Sequence, residues 1–197
     1  MKKKMTSDDF IEYLLQFDSL NKQQIDLIKS LLVIKNYKEG DYFLEAGKIS
    51  NEVGFILNGV FRVCYYNNKG DEITRYFVEE GNFIVDLTSY NTGISSSEYI
   101  QALTVCKIVV LNKSSMNDLS KTLIVWDKII AKITSKALSE KVTRVSVMMP
   151  QDASERYNYF LENFPCLANR IPLQYIASYI GVTKSSLSRI RRNSNKA

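Results

Sequence analysis

Histidine is absent from this chain of 197 residues. Because histidine is the commonest metal ligand and general base among side chains, its absence argues against zinc hydrolases, Ser-His-Asp triads and histidine-ligated haem. No catalytic residue, metal site or cofactor is therefore assigned, and an enzyme is not the expectation. Cysteine is scarce: Cys64, Cys106 and Cys166 are far apart, odd in number and without a CxxC spacing. They suggest neither a disulfide framework nor a zinc site, and small buried thiols are the simplest reading. No stretch approaches the roughly 18 uninterrupted apolar residues that a membrane span needs. The opening "MKKKMTSDDF" follows its lysines with polar and acidic residues rather than an apolar signal core, so a cytoplasmic protein with no membrane partner is expected.

Acidic residues are missing from one region. From Asn163 to Ala197 there are six basic residues (Arg170, Lys184, Arg189, Arg191, Arg192 and Lys196) and no Asp or Glu. Residues 1 to 162 carry the other 20 basic residues against all 21 acidic ones. A neutral body with a cationic end is the electrostatic footprint of a nucleic-acid-binding module.

Residues 6 to 18, "TSDDFIEYLLQFD", set a hydroxyl and two acids ahead of Phe10, Ile11, Leu14 and Leu15, the pattern of a helix start with an apolar face. A second helix is predicted over 21 to 33, opened by Asn21. From Tyr37 to Leu111 the texture changes. Gly40, Gly47, Gly59, Gly70 and Gly81 punctuate short β-rich runs such as "GFILNGVFRVCYY", "ITRYFV" and "KIVVL", which predicts an antiparallel barrel or sandwich with a hairpin at "NNKGDE".

After Lys113 the period becomes helical. Trp126, Ile130, Ile133 and Ala137 form one stripe, and Leu138, Val142, Val145 and Met149 continue it on a shifted face. One long helix over about 123 to 148 is predicted, buried against its own barrel and a second copy of itself, or within its own domain alone. Pro150 ends it, and "QDASERY" restarts a helix through about Asn163.

Near the C-terminus, "LQYIASYIGVTKSSLSRIRR" reads as two crossing helices. Ala177 is small where they approach, Gly181 tolerates a positive φ at the turn, and Ile176, Ile180, Val182, Leu187 and Ile190 lock the pair. Thr183 can cap the second helix, leaving Lys184, Ser185, Ser188 and Arg189 on the side where a recognition helix meets base edges.

In this order of parts the sequence resembles the Crp/Fnr superfamily of bacterial transcription regulators, most specifically over residues 172 to 192 and more loosely at "GFILNGVFRV" and "EEGNFIVDL". The resemblance implies an α+β chain. Residues 1–112 would form an N-terminal antiparallel β-roll (a double-stranded β-helix, jelly-roll-like) with flanking helices. Residues 113–149 would hold a long central dimerisation helix, and 150–197 a C-terminal helix-turn-helix domain. It implies a homodimer on double-stranded DNA with an inverted-repeat operator, in which Lys184, Ser185, Ser188 and Arg189 read bases. Gln174, Thr183, Ser186, Arg191 and Arg192 would contact phosphates, and Ile130, Ile133, Leu138, Val142 and Val145 would form the dimer helix. RNA polymerase and an unidentified small-molecule effector are further partners the resemblance admits.

Relatives that bind cyclic nucleotides carry a Gly-Glu pair followed about ten residues later by an arginine that neutralises the phosphate. Here Asp86 stands near the acid position, Ser95 to Ser97 stand where the arginine belongs, and no arginine occurs from Tyr76 to Thr143. Control by cAMP is therefore not expected, because a charge-assisted bond of about 1.5 to 3 kcal/mol is forgone. The iron-sulfur branch is excluded by the lack of cysteine before Cys64. The competing reading is a ligand-sensing β-roll module that signals through protein contacts rather than DNA.

Overall fold

The computed structural model describes residues 5–194. Helix α1 (Ser7–Leu15) opens on a capping box between Thr6 and Asp9 and buries Phe10, Ile11 and Leu14. Helix α2 (Lys22–Leu31) has the same device between Asn21 and Gln24. It ends two residues short of the predicted Val33, which instead starts the first strand. Each box satisfies two of the amide groups that a helix start leaves unpaired.

Eight strands follow: β1 (Val33–Tyr37), β2 (Tyr42–Leu44), β3 (Glu52–Asn58), β4 (Phe61–Tyr66), β5 (Glu72–Val78), β6 (Phe83–Ile84), β7 (Tyr99–Ala102) and β8 (Cys106–Asn112). They form two antiparallel four-stranded sheets, ordered β1-β8-β3-β6 and β2-β7-β4-β5. The inward faces meet through Ile56, Phe61, Val63, Ile84, Ile100 and Ile108. The "NNKGDE" hairpin joins β4 to β5: Asn67 Oδ1 accepts from the amides of Lys69 and Asp71, both at 2.9 Å, and Gly70 takes φ +82°. Between β3 and β4 a side chain is impossible at Gly59. Its φ is +102°, and a Cβ would stand 2.4 Å from Cys106 Sγ.

Each sheet uses its outer face for a different purpose. The β1-β8-β3-β6 face packs Phe55, Val109 and Leu111 against α1, α2 and two later helices, α4 (Lys113–Thr122) and α5 (Trp126–Met148). The chain's single tryptophan, Trp126, sits in this core at 1 % exposure. The β2-β7-β4-β5 face offers Val60, Phe77 and Leu103 to the C-terminal helices α6 (Ala153–Asn163), α7 (Leu173–Ile180) and α8 (Lys184–Ser194). Each large side chain so buried contributes about 1.5 to 3 kcal/mol. A short helix, α3 (Leu87–Thr92), lies between β6 and β7, capped by Asp86 and closed by Gly93 at φ 74°. Among the described residues no helix is long and apolar enough to cross a membrane. The cysteines divide: Cys64 and Cys106 are buried as expected, whereas Cys166, in the connection from α6 to α7, is exposed. Burial pushes the Cys64 thiol up to about 11 and the Cys106 thiol upward as well, so both stay protonated and poorly nucleophilic.

Candidate nucleic-acid interface

Helix α7 buries Ile176, Ala177 and Ile180, and the chain then reverses at Gly181, φ 74°. The Gly181 amide donates to the Ser178 carbonyl at 3.2 Å and the Val182 amide to the Ala177 carbonyl at 2.9 Å, which closes the helix with a left-handed cap. Thr183 opens α8. Its Oγ1 accepts from the Ser186 amide at 3.1 Å, and Leu187 is fully buried against α7.

With Leu187 pinned inward, Lys184, Ser185 and Arg189 are exposed and Ser188 half-buried. They occupy one side of the first two turns. Arg191, Arg192, Thr183 and Gln174 are exposed and Ser186 half-buried. Lys184, Arg189, Arg191 and Arg192 have no carboxylate partner among the described residues. Lys196 lies outside the described residues. Three hydroxyls are already engaged locally: Ser188 Oγ donates to the Lys184 carbonyl at 3.0 Å, and Thr183 Oγ1 lies 3.0 Å from Ser185 Oγ.

The α7–α8 pair is clasped to the roll by groups that sequence reasoning missed. Arg62 on β4, 2 % exposed, donates to both carboxylate oxygens of Glu72 at 2.8 and 2.6 Å and to Gln101 Oε1 at 3.0 and 2.7 Å. Its guanidinium carbon lies 3.8 Å from the centroid of the Tyr175 ring on α7. The Thr74 amide donates to Ser178 Oγ at 2.8 Å, and that hydroxyl donates to the Glu72 carbonyl at 3.2 Å. A second clasp joins Arg170 to both oxygens of Glu80 at 2.9 and 2.6 Å. Burial alone would raise the Glu80 carboxyl. The hydrogen bonds from Arg170 and from the Gly59 amide outweigh it and hold the group below its ordinary value. The signal available in the sequence was a lone arginine inside the apolar run "VFRVCYY".

Comparison with known proteins agrees with this architecture. Residues 34–122 match the family model described as "Cyclic nucleotide-binding domain". FixK2 from Bradyrhizobium japonicum superposes with TM-score 0.72 at 15% identity, over 84% of this chain and 85% of that one. A protein from Eubacterium rectale assigned to the Crp/Fnr family of transcriptional regulators gives 0.71 at 17%, over 92% and 87%. The c-di-GMP-responsive global regulator CLP of Xanthomonas campestris gives 0.71 at 13%, over 89% and 92%. The chain has the Crp/Fnr fold. No curated protein matches the sequence significantly.

Two features of this Crp/Fnr fold concern the β-roll. The roll cavity, about 490 Å³, is walled by residues such as Val63, Val78, Ile84 and Ile133. In the segment after β6, Asp86 Oδ1 accepts the Ser89 amide at 3.0 Å as the cap of α3, and Ser96 Oγ donates to the Glu98 carbonyl at 3.1 Å. The cations lining the cavity, Lys136, Lys141 and Arg144, come from α5, and the one arginine among them follows directly on the arginine-free stretch that ends at Thr143.

Along α5 the two apolar stripes part company. Ile133 is buried and Ile130 half-buried in the chain's own core, whereas Leu138, Val142 and Val145 are 61%, 57% and 59% exposed.

Proposed function

We propose that this chain is a Crp/Fnr-type transcription regulator that binds double-stranded DNA sequence-specifically as a homodimer. One observation carries the reading. The first two turns of α8 present Lys184, Ser185, Ser188 and Arg189 on an acid-free face, on a helix capped by Thr183 and locked to α7. A helix so supported fits the major groove, where arginine or lysine can pair with guanine O6 and N7. Gln174, Thr183, Ser186, Arg191 and Arg192 flank that face as phosphate contacts. In this reading residues 1–112 are the sensing roll, 113–149 the dimerisation region and 150–197 the helix-turn-helix domain.

Dimerisation through Leu138, Val142 and Val145 would cover side chains that the single chain leaves more than half exposed. Two copies related by a two-fold axis would then read two halves of an inverted repeat. Activation or repression would follow from where that site lies relative to RNA polymerase. With Asp86 serving as a helix cap and no arginine in the cassette, cAMP is not its signal.

Selection of bound fragments from sheared genomic DNA tests the proposal. A recovered palindrome, with affinity that falls steeply as salt rises by about −0.9 in log–log slope per neutralised phosphate, supports it. Binding that ignores sequence, or the absence of DNA binding, favours the protein-contact module instead.

A further inference from the structure

A second cleft, of about 630 Å³, opens outside the roll where β5, the start of α3, the C-terminal half of α5 and the end of α7 converge. Its volume lies within the range of small-molecule sites. Its charge is unbalanced. Arg75, Lys141, Arg144 and Arg156 stand on its walls against two carboxylates, Asp86 and Glu98. Both carboxylates are engaged, Glu98 by Arg75 and Asp86 by the Ser89 amide.

The remaining three cations have no carboxylate partner among the described residues, yet each is held in place. Lys141 Nζ donates to the Tyr76 hydroxyl at 3.1 Å and lies 4.2 Å from that ring's centroid. Arg144 lies 4.8 Å over the Phe164 ring. Arg156 donates to the carbonyls of Ile180 at 2.8 Å and Gln151 at 2.6 Å, which orients the guanidinium without neutralising it. Between these cations the walls are apolar, formed by Val85, Leu87, Val145, Met148, Met149 and Ile180, with Val145 at the border of the proposed dimer face. Fixed cations beside an apolar trough suit a ligand that is acidic at one end and greasy at the other.

We propose that this cleft binds an acidic amphiphile, with its anionic head on Lys141, Arg144 and Arg156 and its apolar body along Leu87, Met148 and Ile180. The site is separate from the roll cavity, which it adjoins through Tyr76, Val85, Leu87, Lys141 and Arg144. Ile180 and Gly181, also on its wall, end α7 and form the turn into α8. A ligand seated there touches the support of the proposed DNA-reading helix, so it changes DNA affinity. That second step rests on the proposed function, whereas binding does not.

Calorimetric titration of the full chain with decanoate, decyl phosphate and decanol tests the site. Saturable binding of at least one of the two anions is expected, with decanol at least about tenfold weaker, since one charge-assisted hydrogen bond accounts for that ratio; the tighter anion identifies the head group. Arg144→Gln and Arg156→Gln, the second at a cation that lines this cleft and not the roll cavity, each verified as folded by circular dichroism, should each weaken the anion about tenfold. Decanol binding as well as the anions, absence of saturable binding, or both variants binding like the parent would overturn the site. Gel shifts on the selected DNA, with and without the tighter anion, test the coupling. Measured binding with unchanged DNA affinity overturns regulation alone, and a chain that binds the anion but no DNA overturns the proposed function while the site stands.

Discussion

Replacing Arg62 should loosen the C-terminal helices from the roll, and the structure sets the size of the effect. The guanidinium is 2 % exposed and makes four hydrogen bonds to Glu72 and Gln101. Arg62→Met keeps most of the volume but leaves Glu72, with its side chain 30% exposed, facing a buried gap. Removing one partner of a fully buried pair costs about 3 to 5 kcal/mol. Because Glu72 can recover some hydration, about 2 to 4 kcal/mol is the expectation here. At about 2 to 4 °C of melting temperature per kcal/mol for a chain of this size, thermal denaturation followed by circular dichroism should fall by roughly 5 to 15 °C. The double variant Arg62→Met/Glu72→Leu should regain part of the loss, since no charge is then stranded. Tyr175→Ala in the same cycle isolates the cation–π contact, with a coupling energy of about 0.5 to 2 kcal/mol. A loss under about 1 kcal/mol on Arg62→Met, or no coupling between Arg62 and Tyr175, would refute the idea that this arginine clasps α7 to the roll.

Arg189→Ala should abolish discrimination at one base pair per half-site, at about 1 to 3 kcal/mol, while Arg191→Ala or Arg192→Ala weakens all sequences alike; equal losses on specific and random DNA for Arg189→Ala would contradict its base-reading role. Val142→Glu should split the dimer in sedimentation and leave the fold intact, whereas Ile133→Glu, seated in the chain's own core, should unfold it. The lowered Glu80 carboxyl contributes stability that is complete above the unfolded glutamate pKa of about 4.3 and is lost as pH falls through the depressed folded value. Glu80→Gln should therefore flatten acid denaturation below about pH 5, and an unchanged profile would count against the Arg170 clasp. Calorimetry with cAMP and cGMP should show no binding, and saturation at low micromolar concentration would restore a cyclic-nucleotide switch.

What could be read from the sequence was local. Ala177, Gly181, Thr183 and Leu187 announce the α7–α8 pair because their roles depend on neighbours within a few residues, and the same holds for the Asn21 cap. The stripes on α5 were visible as a change of face. That Trp126, Ile130 and Ile133 are absorbed by the chain's own core while Ala137, Leu138, Val142 and Val145 stay exposed depends on where α1, α2 and β8 lie, which no period encodes. Helix α3 was invisible because "LTSYNT" has no apolar rhythm; the Asp86 cap and the Gly93 terminus define it. Arg62 was missed for a related reason: Glu72 and Gln101 lie 10 and 39 residues along the chain, and Tyr175 lies beyond α5 and α6. The cations of the outer cleft are likewise assembled from β5, α5 and α6 and share no motif.

The burial of Trp126 gives the molecule an optical asymmetry. Its only indole lies in the core shared by α1, the first sheet and the start of α5, whereas the core that joins α6, α7 and α8 to the second sheet contains phenylalanine and tyrosine but no tryptophan. Emission excited at the indole's red edge therefore reports on one half of the chain and is blind to the other. If the C-terminal helices detach from the roll, ellipticity and tyrosine signals change while tryptophan emission does not. If the two halves melt as one body, as the shared Phe77–Phe160–Tyr179 aromatic contacts favour, all three curves coincide.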